Sequence, residues 1–403
     1  MNQNRLIVLA ALSLVASLAG CCTSNDILGG AQPQVAEFTY VSNENSNNVN
    51  AYSVTLSTGA LTPVTGSPYD GDTGPRGVAV DPTQRFLYMA NESSNDVSAY
   101  TIDATTGALT PITGSPFPVG TCNEDAGVSG VHALGTTSGP SACGPRGVAV
   151  DPSGKYLYVA NELSDNVSGF TIDSTTGALT LMADSPFAST SMNGSTGPRG
   201  VAVDPSDKYV YVTNHTSDDV SGYSINATTG ELTPLSGSPF PAEETPFDVV
   251  VEPSDRYVYV TNHLSGNVSA YALTAGTGAL TPITGSPFPA GSEPHGIVVD
   301  PSGTYVYVAN HASDNVSAYS IDSGTGALTD LTGSPFADTS TGGTTAPYGL
   351  AVDPSGKYVY VANNGSDDVA IYTITAETGV LTQMGTTGAG TGPHGVAIAA
   401  PPQ

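Results

Sequence analysis

The sequence predicts an all-β, seven-bladed β-propeller with four-stranded blades, closed by a C-terminal strand that completes the N-terminal blade. Three observations predict it: a strand-and-turn unit recurs seven times, each unit holds four short β-rich runs, and the first copy lacks the opening run that stands alone at the C-terminus. Composition agrees, because 47 glycines and 30 prolines punctuate 403 residues with turns while only 11% of residues are charged. An apolar fraction of 39%, with 20 tyrosines, is enough for a sizeable core and sets the chain apart from disordered ones despite a net charge of −27.

The unit is clearest between Gly144 and Thr180. Gly147-Val148-Ala149-Val150 supplies the first run and Tyr156-Leu157-Tyr158-Val159-Ala160 the second; the third ends at Ile172, and Ala178-Leu179-Thr180 is the fourth. Asp151-Pro152-Ser153-Gly154 makes the first turn, where Pro fixes φ and Gly accepts a positive one, and Thr176-Gly177 makes the third. The second run is nearly all apolar because both faces of a blade pack on neighbouring blades. Its tyrosine returns as Tyr40, Tyr88, Tyr158, Tyr211, Tyr259, Tyr307 and Tyr360, which gives the blade count. The first copy starts at Glu37-Phe38-Thr39-Tyr40 without its opening run, and Gly395-Val396-Ala397-Ile398 is that run with nothing after it, so the last strand should close the ring.

The carboxylate before the turn proline falls at Asp81, Asp151, Asp204, Glu252, Asp300 and Asp353, at spacings of 70, 53, 48, 48 and 53. The basic unit is therefore 48 residues, and the long first interval locates a Gly/Ser-rich insertion at residues 119–143. It carries Cys122 and Cys143, which an oxidising compartment would join as a disulfide. They lack the ligand count of a zinc site, and no cofactor or metal is called for.

Residues 1–20 place Arg5 before an apolar run too short to span a bilayer, which is the pattern of a signal peptide. Its end, Leu18-Ala19-Gly20-Cys21, resembles the lipobox of bacterial lipoproteins, and that resemblance implies cleavage before Cys21 and acylation of its thiol. The expectation is an exported, membrane-anchored monomer with a tether at residues 21–36 and a propeller at 37–399. Strong net negative charge argues against nucleic acid as a partner.

After the leader, all eight cations occupy two positions of the repeat. Arg85, Lys155, Lys208, Arg256 and Lys357 lie in the turn after the first run, where solubility explains them. Arg76, Arg146 and Arg199 stand just before the innermost strand, at a position filled elsewhere by Phe247, His295, Tyr348 and His394. The loop after the second run opens on the same face and carries Glu44, Glu92, Glu162, His215, His263, His311 or Asn364 directly after its Asn. An Arg/Glu arc and a His arc thus surround one channel mouth, where propellers bind ligands. Two readings of that ring stay open: pairs that tie loops together, and a site for a small-molecule or protein ligand. The acidic pairs Asp218-Asp219 and Asp367-Asp368 read as Asx turns, since no copy has the spacing of a calcium loop. A nucleophilic serine elbow, a phosphate-cradling loop and a metalloprotease helix are absent from the sequence.

At Tyr211-Val212-Thr213-Asn214 and its six relatives the chain resembles the YVTN-repeat propellers and the seven-bladed lactonase family that includes 6-phosphogluconolactonase. Gly144-Pro145-Arg146 and Asn161-Glu162-Leu163 match the lactonase pattern, but Gly147 stands where that pattern has His. If the resemblance extends to activity, Glu162 or His295 would activate water and Arg146 would bind the acid or stabilise the oxyanion. Near-consensus blades and the expected anchor favour a binding or scaffold module; the alternative is a lactone hydrolase acting on a sugar or related lactone.

Overall fold

Each repeat folds into one antiparallel sheet because its apolar runs are only long enough to cross a blade once and its turns hold a residue at positive φ. The computed structural model describes residues 37–122, 142–191, 194–340 and 343–400. In blade 3 the order is Pro145–Val150, Tyr156–Asn161, Asn166–Ile172 and Leu179–Leu181. The fold is therefore the seven-bladed propeller expected, with one addition. Six blades carry a fifth, two-residue strand such as Phe187–Ala188, which pairs with the start of the third strand. Blade 7 instead lengthens its outer strand to Leu381–Gly388.

Closure follows the sequence expectation. The C-terminal strand Pro393–Ala399 pairs antiparallel with Glu37–Asn43, setting Tyr40 opposite Ala397 and Phe38 opposite Ala399. The core then divides into seven apolar clusters, each shared by two adjacent blades. One joins Tyr88 and Val97 of blade 2 to Leu157 and Phe170 of blade 3, and another joins Tyr52 of blade 1 to Tyr360 of blade 7. No blade has a core of its own, so burial stabilises the closed ring rather than single sheets.

The repeated tyrosine latches these interfaces. Tyr158 Oη donates to the Gly230 carbonyl at 2.7 Å and Tyr211 Oη to Gly278 at 2.7 Å, in each case reaching the Thr-Gly turn of the next blade. Tyr360 Oη donates to Gly59 at 3.0 Å and closes the series. A fully buried phenol needs such an acceptor, and the latch explains why tyrosine and the Thr-Gly turn recur together.

Two turn readings gain detail. Asp151 Oδ1 accepts the Lys155 and Tyr156 amides at 2.7 Å, which fixes the turn before the second strand. Asp218, read as capping its own turn, accepts the Thr245 amide of the next blade at 2.8 Å, and Asp367 does the same for Gly392 at 2.8 Å. These carboxylates position the entry of each following inner strand. The Arg85 guanidinium, read as a solubility group, donates to the Ser174 and Thr175 carbonyls of the neighbouring blade at 3.1 Å.

Cys122 and Cys143 are disulfide-bonded with a Cα–Cα distance of 4.8 Å, and Cys143 is buried in the interface of blades 2 and 3. The leader, Cys21 and the tether lie outside the described residues, as does residues 123–141 of the insertion.

Candidate functional site at the channel mouth

Every inner strand begins with a β-bulge. In blade 3 the register shifts between Pro145 and Val148, and in blade 5 between Pro246 and Val249. The two residues inside the shift escape regular pairing, which lets the backbone aim one side chain at the channel mouth and set the next residue against the channel axis. The first bulge residue is the ring position found in the sequence. The second is Gly77, Gly147, Gly200, Asp248, Gly296, Gly349 or Gly395.

On one arc the ring is an unbroken ion-pair ladder. The Arg76 guanidinium binds Glu44 at 2.8 Å and also Glu92; Arg146 reaches Glu92 at 2.8 Å and also Glu162; Arg199 binds Glu162 at 2.7 Å. Each link joins neighbouring blades or the two loops of one blade, and the side chains keep between 12% and 26% of their exposure. Burial raises the Glu162 carboxyl, but the Arg146 and Arg199 charges outweigh it and hold the group below the usual carboxylate range.

On the other arc the charges give way to stacked rings. The Arg199 guanidinium lies over the Phe247 ring at 4.9 Å, and Phe247 stacks on His295 with centroids 4.1 Å apart. His295 stacks on His311 at 4.6 Å and on His263 at 5.0 Å, and it meets the Tyr348 edge at 4.3 Å. Tyr348 lies 3.8 Å from His394, whose Nε2 is 3.1 Å from Arg76 Nη1. The ring is thereby closed. His215 sits at the junction, 6.5 Å from the His263 ring.

Burial drives four of these imidazoles, those of His215, His263, His295 and His394, towards the neutral form. It lowers His263, brings His215 down to about 4 with help from the Arg199 charge, and pushes His295 and His394 far below the ordinary imidazole range. His295 is 5% exposed, and neither of its ring nitrogens has a hydrogen-bond partner among the described residues. Glu293 lies 3.4 Å from His311 Nδ1 and 3.7 Å from His263 Nε2. Among the described residues no group of three His, Cys, Asp or Glu side chains is placed to hold a metal ion.

Below the mouth lies a cavity of about 210 Å³ on the channel axis. Its wall includes Arg146, Arg199, Phe247, Tyr348, His394 and Asp248 above and between the glycines. Glu162 and His295 are one layer outside that wall, Glu162 clasped between two arginines and His295 between rings. The ring residues proposed from the sequence therefore meet at one mouth, but of them only Arg146, Arg199, Phe247, Tyr348 and His394 line the cavity. Asp248 and Glu293 were missed. Asp248 interrupts a column that is otherwise glycine, and that departure was the available signal; Glu293 stands in a column where Thr245 and Ala346 also replace glycine.

A closed seven-bladed propeller with a cavity at one mouth of its channel defines the class of axial-site propellers. Within that class the chain belongs to the family described as lactonase, 7-bladed beta-propeller, whose model matches residues 30–124, 122–292, 248–340 and 334–398. A probable 6-phosphogluconolactonase of Arthroderma benhamiae is 31% identical over 112 residues, covering 25% of this chain and 27% of that one. The 6-phosphogluconolactonase of Photorhabdus laumondii is 33% identical over 92 residues, covering 23% of this chain and 26% of its own. The chain thus matches about a quarter of the length of these relatives. The solved structure of a periplasmic gluconolactonase of Pseudomonas aeruginosa superposes with a TM-score of 0.72 at 18% identity, covering 91% of this chain and all of that one, a likeness of fold.

Proposed function

We propose that this protein hydrolyses an uncharged sugar lactone in the channel-mouth cavity. The observation that carries the reading is the cavity wall, which Arg146 and Arg199 share with the Phe247 and Tyr348 rings. Donors held before the reaction starts stabilise the oxyanion that forms when water adds to a lactone carbonyl, and ring faces suit the C–H surface of a sugar. Family membership and the names of the matched relatives support the same chemistry.

Charge selects the substrate class. The three arginines are matched by Glu44, Glu92 and Glu162, burial keeps His215, His263, His295 and His394 neutral, and the chain carries −27. No surplus positive charge is left for a phosphate dianion, and the long-range field repels one. An unphosphorylated aldonolactone fits better than its 6-phospho counterpart. The lipobox-like Leu18-Ala19-Gly20-Cys21 supports placing this reaction outside the cytosol, on a protein anchored through Cys21.

One observation favours a second reading, a binding module without catalysis: the Glu–Arg ladder is saturated, so Glu162 is a weak base. Hydrolysis of neutral and phosphorylated sugar lactones by the chain lacking its leader separates the two. The hydrolase reading expects turnover of the neutral lactone above the buffer rate, a loss of about 100-fold or more in Arg146→Ala, and poorer use of the phosphorylated one. Buffer-level rates on every lactone, with the folded protein still binding them, would establish the binding module instead.

A further inference from the structure

The column of residues against the channel axis holds glycine in six blades for a steric reason. A methyl group on Gly147 would strike the Arg199 carbonyl of the next blade, one on Gly296 would meet the Tyr348 carbonyl at 2.7 Å, and one on Gly200 would meet Asp248 Cα at 2.7 Å. Inner strands pack so closely that side chains are excluded at this level. Blade 5 is the exception. Asp248 projects a carboxylate into the one layer of the channel that its six counterparts leave bare, and it keeps part of its surface open to the cavity.

The contacts of Asp248 hold the group without neutralising it. Oδ1 accepts the Val249 amide at 2.9 Å and Oδ2 accepts the Ile297 amide at 3.3 Å, and among the described residues no cation pairs with it. Its backbone is fixed from the other side, where Thr261 Oγ1 accepts the Asp248 amide at 3.1 Å. Two amide donors leave lone pairs on both oxygens free. Arg146, Arg199, His394 and Tyr348 are the ionisable groups that share the cavity with it.

Resting on the hydrolase reading above, the geometry points to Asp248 as the general base that activates the attacking water. Gly147 cannot carry the His of the family pattern, because a side chain does not fit there, whereas the same register position on blade 5 carries a carboxylate. As the water oxygen bonds to the lactone carbonyl carbon, one water proton passes to Asp248 and the carbonyl electrons move onto the oxyanion, which Arg146 and Arg199 face. Collapse of that adduct breaks the bond from the carbonyl carbon to the ring oxygen, which takes the proton back from Asp248. The product is the open hydroxy acid, and the carboxylate is restored. Burial raises the Asp248 carboxyl to about 6, close to the value that a base working near neutral pH requires.

The test compares wild type with Asp248→Asn and Asp248→Gly on the neutral lactone. Glycine is the residue of the six other blades, so Asp248→Gly should fold, and circular dichroism with thermal unfolding checks both variants. The assignment expects kcat to fall about 10²- to 10⁴-fold in both with KM within about threefold, and the acid limb of the wild-type kcat/KM profile near pH 6 to disappear. Folded variants that keep kcat and that limb overturn the role of Asp248 while leaving the hydrolase intact. A wild type inactive on every lactone overturns the hydrolase reading and this assignment together.

Discussion

The two arcs of the channel mouth are built on the same bulge, the same loops and the same register, yet they solve burial in opposite ways. Glu44, Arg76, Glu92, Arg146, Glu162 and Arg199 pair as ions on one arc, whereas His215, Phe247, His263, His295, Tyr348 and His394 place rings at the equivalent positions of the other, with their imidazoles driven towards the neutral form by burial. The difference teaches that the propeller scaffold dictates where a side chain goes and leaves its chemistry free. It also divides the acid response. The ladder depends on Glu162, which the Arg146 and Arg199 charges hold ionised below the usual carboxylate range, whereas the ring arc depends on buried imidazoles such as His295 that must not protonate.

The join between the arcs is the place to break the comparison most severely. His394 meets Arg76 on the strand Pro393–Ala399, which also completes blade 1. Removing residues 393–403 should abolish cooperative unfolding and expose the Glu37–Asn43 edge, seen as loss of a thermal transition and as aggregation.

Next in size is Glu162→Ala, which leaves Arg146 and Arg199 facing each other with one partner fewer. A loss of about 3 kcal/mol in denaturant unfolding is expected. The opposite arc should behave differently. His295→Phe replaces an imidazole with two unpartnered nitrogens by an apolar ring of similar shape, so stability at pH 7 should hold or rise by about 1 kcal/mol.

Acid sharpens the contrast. His215 has a folded value of about 4 against about 6.5 in an unfolded chain, so its contribution is complete above pH 6.5 and is lost as pH falls towards 4. His295 follows the same sign. Wild type should therefore lose stability relative to His295→Phe by up to about 1.4 kcal/mol for each unit below pH 6.5. Glu37 and Asp338 act in reverse: burial raises both carboxyls to about 7, so their contribution is present below the ordinary carboxylate range and is lost as pH rises through 7. Measuring variant against wild type at each pH cancels that background. The smallest effect belongs to the scaffold common to both arcs, where Tyr211→Phe removes one latch and should cost about 1 kcal/mol.

Much of this was legible in the chain because a repeat is its own alignment. Seven tyrosines counted the blades, the orphan run at Gly395–Ile398 foretold the closure, and two columns of unlike residues located the mouth. What stayed hidden depended on distances between copies. The latch from Tyr158 to Gly230 joins residues 72 apart, and nothing local to either one announces it. Asp218 and Asp367 looked like caps of their own turns because the amides they accept belong to the next blade. Gly147 read as the loss of a family His, whereas the close approach of the Arg199 carbonyl makes glycine obligatory there. Once that column is understood as steric, Asp248 stands out as its single exception.

The central claim is that a ligand occupies the cavity between the arcs, with Arg146 on one side and Asp248 beneath. A crystal structure with a hydrolysis-resistant lactam analogue of the neutral sugar lactone tests it most directly. The account predicts the analogue on the channel axis, its carbonyl oxygen toward Arg146 and Arg199 and its carbonyl carbon within one water of Asp248. An analogue bound outside the channel mouth, with the cavity filled by solvent, would contradict it.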